Sequence, residues 1–267
     1  MQMKLWTIYI SIGLLLAGCL EQQQQAHPSA ASIDGLTLAD VMPKTRENSI
    51  PVISFLVTSY EVDLQQAQAV RDCQAALSEQ PIRFRDKEAF SINGFYAVVG
   101  SGMQISSVNA CLERAASRRF SQANLVLNPG FEQTFGQVVI ADRAVVDYRG
   151  TEGQVLSDSL VEGTLSWALT PEVGPGFPGR IQVTVEPIFI PWAAQRWSAW
   201  GQVTEKMTRR FESGKFEMTL GPADFVIIAP RHTDIEQFTA FERLLFLPPG
   251  RSDTIRFYAL VCLGAED

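Results

Sequence analysis

The sequence predicts an α+β fold: a small N-terminal βαβα module followed by a mainly antiparallel β-sheet or sandwich-like region. Two patterns predict it. Between residues 50 and 120, short apolar, β-branched runs alternate with stretches whose apolar residues recur every three or four positions. Beyond Asn128-Pro129-Gly130 the period becomes two. Leu165, Trp167 and Leu169 alternate with Ser166, Ala168 and Thr170, and Ile181, Val183 and Val185 alternate with Gln182, Thr184 and Glu186. Alternation of this kind marks strands with one solvated face.

The module opens with Ile50-Pro51-Val52-Ile53-Ser54-Phe55-Leu56-Val57, which is short, apolar and β-branched, as a buried strand should be. Asp63 is then placed to cap a helix whose apolar stripe is Leu64, Ala67, Val70, Cys73 and Leu77. Gly94 to Val99 supplies the second strand. A helix from about Ser106 to Arg119, with Val108, Leu112, Ala115 and Ala116 on its buried side, completes residues 50–120. Further strands are expected near Gln137–Ala141, Ala144–Tyr148, Lys215–Leu220, Asp224–Ala229 and Thr254–Cys262, at irregular spacing and without an internal repeat. Residues 121–267 thus form a β-rich region, either separate from the module or continuous with it.

The N-terminus reads MQMKLWTIYISIGLLLAGCLEQQQQ. Its apolar run, Leu5 to Ala17, is about a dozen residues long, whereas a membrane-crossing helix needs roughly twenty. Lys4 before it and the small residues Ala17 and Gly18 after it match a signal peptide over residues 1–18 that is removed. Leu16-Ala17-Gly18-Cys19 resembles the lipobox of bacterial lipoproteins. The resemblance implies that the Cys19 thiol is diacylglycerylated, that cleavage falls just before it, and that the new amine is acylated. The other reading is an ordinary secretory signal with a chance Cys. Two or three acyl chains, at about 0.8 kcal/mol per buried CH₂, anchor a protein to a lipid bilayer where one chain would not. Residue two of the mature chain is then Leu20 rather than Asp, which by the same resemblance favours the outer membrane over the inner. Residues 19–49, with Gln22 to Gln25 and His27-Pro28, read as a flexible tether, or else as a polar binding tract.

The chain carries 22 Lys plus Arg against 29 Asp plus Glu, a net charge of −7, and loss of Lys4 with the signal makes it one unit more negative. Such a chain has no global attraction to nucleic acid, and no nucleic-acid partner is expected.

The run Arg85-Asp86-Lys87-Glu88-Ala89-Phe90-Ser91-Ile92-Asn93-Gly94-Phe95-Tyr96-Ala97-Val98-Val99 is similar to a group of uncharacterised planctomycete envelope proteins. Their motif is a short helical turn, then Asn-Gly-Leu-Arg and a Val-rich strand; here Phe95 and Tyr96 stand in place of Leu-Arg. The similarity covers about a quarter of the chain and carries no catalytic residue. Asn93-Gly94 is by itself a turn feeding a strand.

Four features are candidates for chemistry. Gly174-Pro175-Gly176-Phe177-Pro178-Gly179 satisfies G-x-G-x-x-G, but its two prolines remove backbone donors and a strand follows it, so it reads as a hairpin loop. Trp192, Trp197 and Trp200 form a candidate binding surface for glycan or a protein partner; the other reading has them plugging one end of the sheet. Cys73 and Cys111, one on each predicted helix, are in position for a disulfide in an oxidising compartment, with buried free thiols as the alternative; Cys262 is then left over. His232, with Asp234 as the group to orient it, is the one histidine outside the tether that a nucleophilic mechanism would have to use, and no G-x-S-x-G supplies a serine. No spacing suggests a metal site and no cofactor is expected. Two carboxylates in space suffice for glycan hydrolysis, and the sequence neither supports nor excludes them. The leading expectation is a non-enzymatic lipoprotein that scaffolds or docks onto an envelope protein or glycan. The alternative is a periplasmic wall-acting or ester hydrolase.

Overall fold

The computed structural model describes residues 51–173, 179–197 and 207–266. Its strands are β1 (Val52–Asp63), β2 (Arg83–Phe84), β3 (Phe95–Gly100), β4 (Arg118–Leu127), β5 (Gln133–Ile140), β6 (Ala144–Arg149), β7 (Val155–Leu160), β8 (Gly163–Val173), β9 (Ile181–Pro191), β10 (Arg209–Arg210), β11 (Phe216–Leu220), β12 (Phe225–Pro230) and β13 (Thr254–Glu266). The helices are α1 (Ala67–Gln74), α2 (Lys87–Ile92), α3 (Ile105–Arg114), α4 (Trp192–Trp197) and α5 (Ala240–Phe246). The fold is α+β. Cys19 and the whole of residues 1–50 lie outside the described residues, as do residues 174–178 of the glycine-rich loop and Trp200.

Sheet 1 has the order β3-β12-β13-β1-β4, and sheet 2 the order β2-β11-β9-β8-β5 with β10 added to β9. Every pairing is antiparallel, and β6 and β7 form a separate hairpin. The sheets face each other across one core, which takes Phe55 and Val57 from β1, Tyr258 and Leu260 from β13, and Trp167, Val183 and Phe189 from sheet 2. A second core lies on the far face of sheet 1, where Val70 of α1 and Leu112 of α3 meet Ile227 and Phe257. The result is three layers: two helices, sheet 1, sheet 2. Strand β12, Phe225-Val226-Ile227-Ile228-Ala229-Pro230, has no polar residue because it is buried on both faces. Val226 and Ile228 point into the first core, and Phe225, Ile227 and Ala229 into the second.

Several expectations change. Strands β1 and β3 do belong to one sheet, but β12 and β13 lie between them. They therefore run in opposite directions, and residues 50–120 do not close a sheet by themselves. Asp63 ends β1 and makes no side-chain cap; a 3-10 turn, Leu64–Gln66, leads into α1 instead. Helix α3 stops at Arg114 rather than Arg119. Ala116 takes a left-handed φ of 52°, and the Ser117 amide donates back to the Leu112 carbonyl at 3.0 Å, closing the helix end. Arg118 then starts β4. In β8, Ser166 and Ala168 are only 0% and 1% exposed, so the face read as solvated is covered; α4 packs against β8 and β9.

Cys73 of α1 and Cys111 of α3 form a disulfide, with Cα atoms 5.7 Å apart. It ties together the two helices that cover sheet 1. Cys262 is a buried free thiol in the first core, and burial pushes its pKa up to about 11, which keeps it protonated and unreactive.

Replacing both Cys73 and Cys111 with Ala should lower stability by about 2–4 kcal/mol, because the bridge closes a loop in the unfolded chain. Thermal melts of wild type and double variant check this, and equal melting temperatures would count against a structural role for the bond.

Candidate functional site

Strand β2 is the outer strand of sheet 2 and β3 that of sheet 1. The helix between them in sequence, α2, begins at Asp86, whose carboxylate accepts from the Ala89 amide at 2.9 Å. Its Phe90 packs against Phe84 of β2 and Phe95 of β3, with ring centroids 4.7 and 5.3 Å apart. A cleft of about 350 Å³ remains at this edge, walled by Phe84 and Tyr96 and carrying Arg71, Lys87, Arg231 and Glu79. A shallower hollow of about 240 Å³ shares Phe84 with it and carries Arg83, Arg85, Lys215 and Glu217.

Each cation arrives from a different place. Arg71, in the last turn of α1, lies over the Tyr96 ring at 4.0 Å and donates to the carbonyls of Pro230 and Arg231 at the end of β12. Burial pulls its pKa below the ordinary arginine value, the neighbouring Tyr96 opposing this; a guanidinium nonetheless stays charged in a protein. Lys87 pairs with Glu79. Among the described residues, Arg83, Arg85, Lys215 and Arg231 form no ion pair. This arrangement can attract an anion and orient it against an aromatic wall.

The loop carrying Arg231 is held from below by Glu242, whose side chain is 0% exposed. The carboxylate accepts from the backbone amides of His232 (2.9 Å) and Thr239 (2.8 Å). It also faces His232 Nδ1 at 2.8 and 3.0 Å. A carboxylate only accepts, so Nδ1 carries the proton. His232 is therefore oriented by Glu242 and not by Asp234, which instead accepts from the Glu236 amide at the start of a 3-10 turn. Thr239 and Glu242 make a reciprocal capping box at the start of α5, and the Thr239 hydroxyl donates to the Asn93 carbonyl at 2.8 Å. Gly94 has φ +87°, and a Cβ there would lie 2.3 Å from Glu242 Cδ. The Asn93-Gly94 turn is thus also a close approach that only glycine permits.

Two other charged groups differ from this one. Glu61 of β1, 4% exposed, accepts from Arg118 and Arg256, each at 2.8 Å, with Arg251 at 3.5 Å. Burial raises its pKa, but the hydrogen bonds from Arg256 and Arg118 outweigh burial and hold the carboxyl below its usual range. Its arginines serve the carboxylate, so the cluster reads as structural. Glu132 and Glu186 are the nearest thing to a hydrolytic pair, and burial pushes Glu186 upward against the pull of Arg210. The guanidinium of Arg210 is bonded to both carboxylates and ties them together.

Of the predicted tryptophan surface, Trp192 is half-buried at the start of α4, Trp197 contributes its backbone to α4 with its side chain outside the described residues, and Trp200 lies outside them altogether. The basic cleft escaped notice in the sequence, although Arg83-Phe84-Arg85, cations flanking an aromatic in an acidic chain, was a signal for it. Thr239-Ala240-Phe241-Glu242, a capping-box spacing before an apolar run, was the signal for α5 and its buried Glu. Compared with known proteins, the chain matches no protein-family model and none of the curated proteins.

Glu242→Ala should destabilise the protein by about 2–4 kcal/mol, because two backbone amides lose their acceptor in the interior; denaturant unfolding that leaves the variant unchanged would refute the supporting role. Glu61→Gln should cost about 3 kcal/mol at pH 7, by leaving Arg256 unpaired. A depressed folded pKa stabilises above the unfolded value of about 4.3 and ceases to do so as pH falls through the folded pKa. The gap between wild type and Glu61→Gln should therefore shrink from pH 7 to pH 3, as melts at both pH values will show.

Proposed function

We propose that this chain is a membrane-anchored lipoprotein of the bacterial cell envelope, held to the bilayer through acylated Cys19, the outer membrane favoured over the inner, with its body facing the periplasm or the cell surface. Its role is structural: it docks onto another envelope component and is not an enzyme. The observation that carries this reading is Leu16-Ala17-Gly18-Cys19 in register with the end of a dozen-residue apolar run that is too short to cross a membrane. The disulfide between Cys73 and Cys111 supports it, since such bonds persist in oxidising compartments outside the cytosol. The similarity of Arg85 to Val99 to planctomycete envelope proteins points the same way. Within the body, residues 51–120 serve as a βαβα unit that contributes the interior strand β1 and the outer strand β3 to sheet 1, and the rest of the body supplies β12 and β13 of that sheet and most of sheet 2. The basic, aromatic-walled cleft is the docking face that the geometry favours, because Arg71 is fixed there by two carbonyls and Arg231 forms no ion pair among the described residues.

Intact-mass analysis of the protein purified from membranes tests the anchor. Wild type should begin at Cys19 and carry acyl chains, whereas Cys19→Ala should retain residues 1–18 and carry none. An identical acylated product from the variant would overturn the proposal.

A further inference from the structure

We propose that the cleft between β2 and β3 binds an acidic saccharide, a sugar unit bearing a carboxylate or phosphate group, and that this is the envelope component on which the protein docks; the second clause rests on the docking role proposed above. The two adjoining hollows are lined by six cations, Arg71, Arg83, Arg85, Lys87, Lys215 and Arg231, and by two carboxylates, Glu79 and Glu217. Asp86, whose carboxylate caps α2, lies beside them and adds a third negative charge, which the six cations still outnumber. The whole chain has a net charge of −7, so this excess of positive charge is local. Like charges gathered at one place repel, and a bound anion relieves that repulsion.

The shape selects among anions. Phe84 and Tyr96 are half-buried and wall a concavity, whereas docking on a bilayer uses basic and apolar side chains that project from the surface. The apolar C–H face of a pyranose fits against such an aromatic wall, and the planar fork of an arginine matches a carboxylate or phosphate in two hydrogen bonds. Arg71 is already fixed by two carbonyls and by the Tyr96 ring, so little side-chain entropy is lost when the ligand binds. A long nucleic acid would present a dense line of phosphates to a body that is acidic outside this patch, which disfavours it.

Isothermal titration of the purified full-length protein in detergent tests the inference. The probes are oligogalacturonate, glucose 6-phosphate, neutral maltohexaose, inorganic phosphate, oligothymidylate and vesicles containing phosphatidylglycerol. Arg231→Glu and the pair Arg83→Glu with Arg85→Glu alter exposed side chains, so these variants should fold, and Arg114→Glu serves as an exposed control on α3. At least one of the two acidic sugars should bind, more weakly as salt is raised, and should lose about tenfold or more in affinity in both charge-reversal variants while the control keeps it. The inference is overturned if neither acidic sugar binds, if maltohexaose or inorganic phosphate binds as tightly, if binding is confined to vesicles or oligothymidylate, or if the charge reversals leave affinity unchanged. The measurement does not depend on Cys19. Loss of the anchor reading with sugar binding intact would leave the cleft's ligand standing, and the reverse result would remove the ligand alone.

Discussion

The pairing of the chain's first and last described strands holds the rest of the structure in place. β1 and β13 run antiparallel from Val52 opposite Glu266 to Asp63 opposite Thr254, with one bulge between Ser54 and Phe55. β13 also pairs with β12 on its other side. Without β13, sheet 1 would separate into β1-β4 and β3-β12, and both cores would lose a wall, because Ile255 and Phe257 fill one and Tyr258 and Leu260 fill the other. Tyr258 shows how tightly this strand is set: its hydroxyl donates to the Leu245 carbonyl at 3.0 Å, and its ring approaches Gly136 so closely that a Cβ there would lie 2.8 Å away. Burial pushes its hydroxyl up to about 12. A sheet whose central strands are separated by nearly the whole chain must close a long loop before any contact rewards it, which makes folding slow and cooperative.

That topology also determines where the functional edge lies. With β12, β13 and β1 in the interior of sheet 1, β3 is left at one end, and β2 ends sheet 2 with only two residues. Short outer strands protect a sheet from pairing with other chains, and here the edge is further marked by charge. Ser78 closes part of β3 by exchanging two hydrogen bonds with Val99. The remainder opens into the cleft.

The arginines of this protein divide into two kinds. Those around Glu61 pair with a buried carboxylate, and Arg210 joins the buried Glu186 to the exposed Glu132, so these belong to the architecture. Arg83, Arg85 and Arg231 have no such partner among the described residues, and the loop that carries Arg231 rests on a buried glutamate whose acceptor sites are taken by backbone amides and a histidine ring. This carboxylate holds the loop through those bonds and forms no ion pair with Arg231, the cation the loop presents. The difference between the two kinds is what distinguishes a binding edge from a structural ion network, and it leaves His232 as part of the support beneath that edge.

The α+β class, strands β8 and β9, the stripes of α1 and α3 and the apolar run of β12 were legible in the sequence, because runs and periods of apolar residues record locally that an element packs, although in β8 they did not show that the second face is covered as well. Strand β4 was missed, since Arg118-Arg119-Phe120-Ser121-Gln122-Ala123 is exposed and carries no buried pattern; the end of α3 was missed because Ala116, not glycine, adopts the left-handed turn. Sheet order was beyond local reading, because partners such as Val52 and Glu266 lie at opposite ends of the described chain and backbone pairing carries no residue code. The cleft was beyond it too. Residues 71, 83, 85, 87, 215 and 231 come from two helices, one strand and three loop positions, and only the folded chain brings them to two hollows that share Phe84.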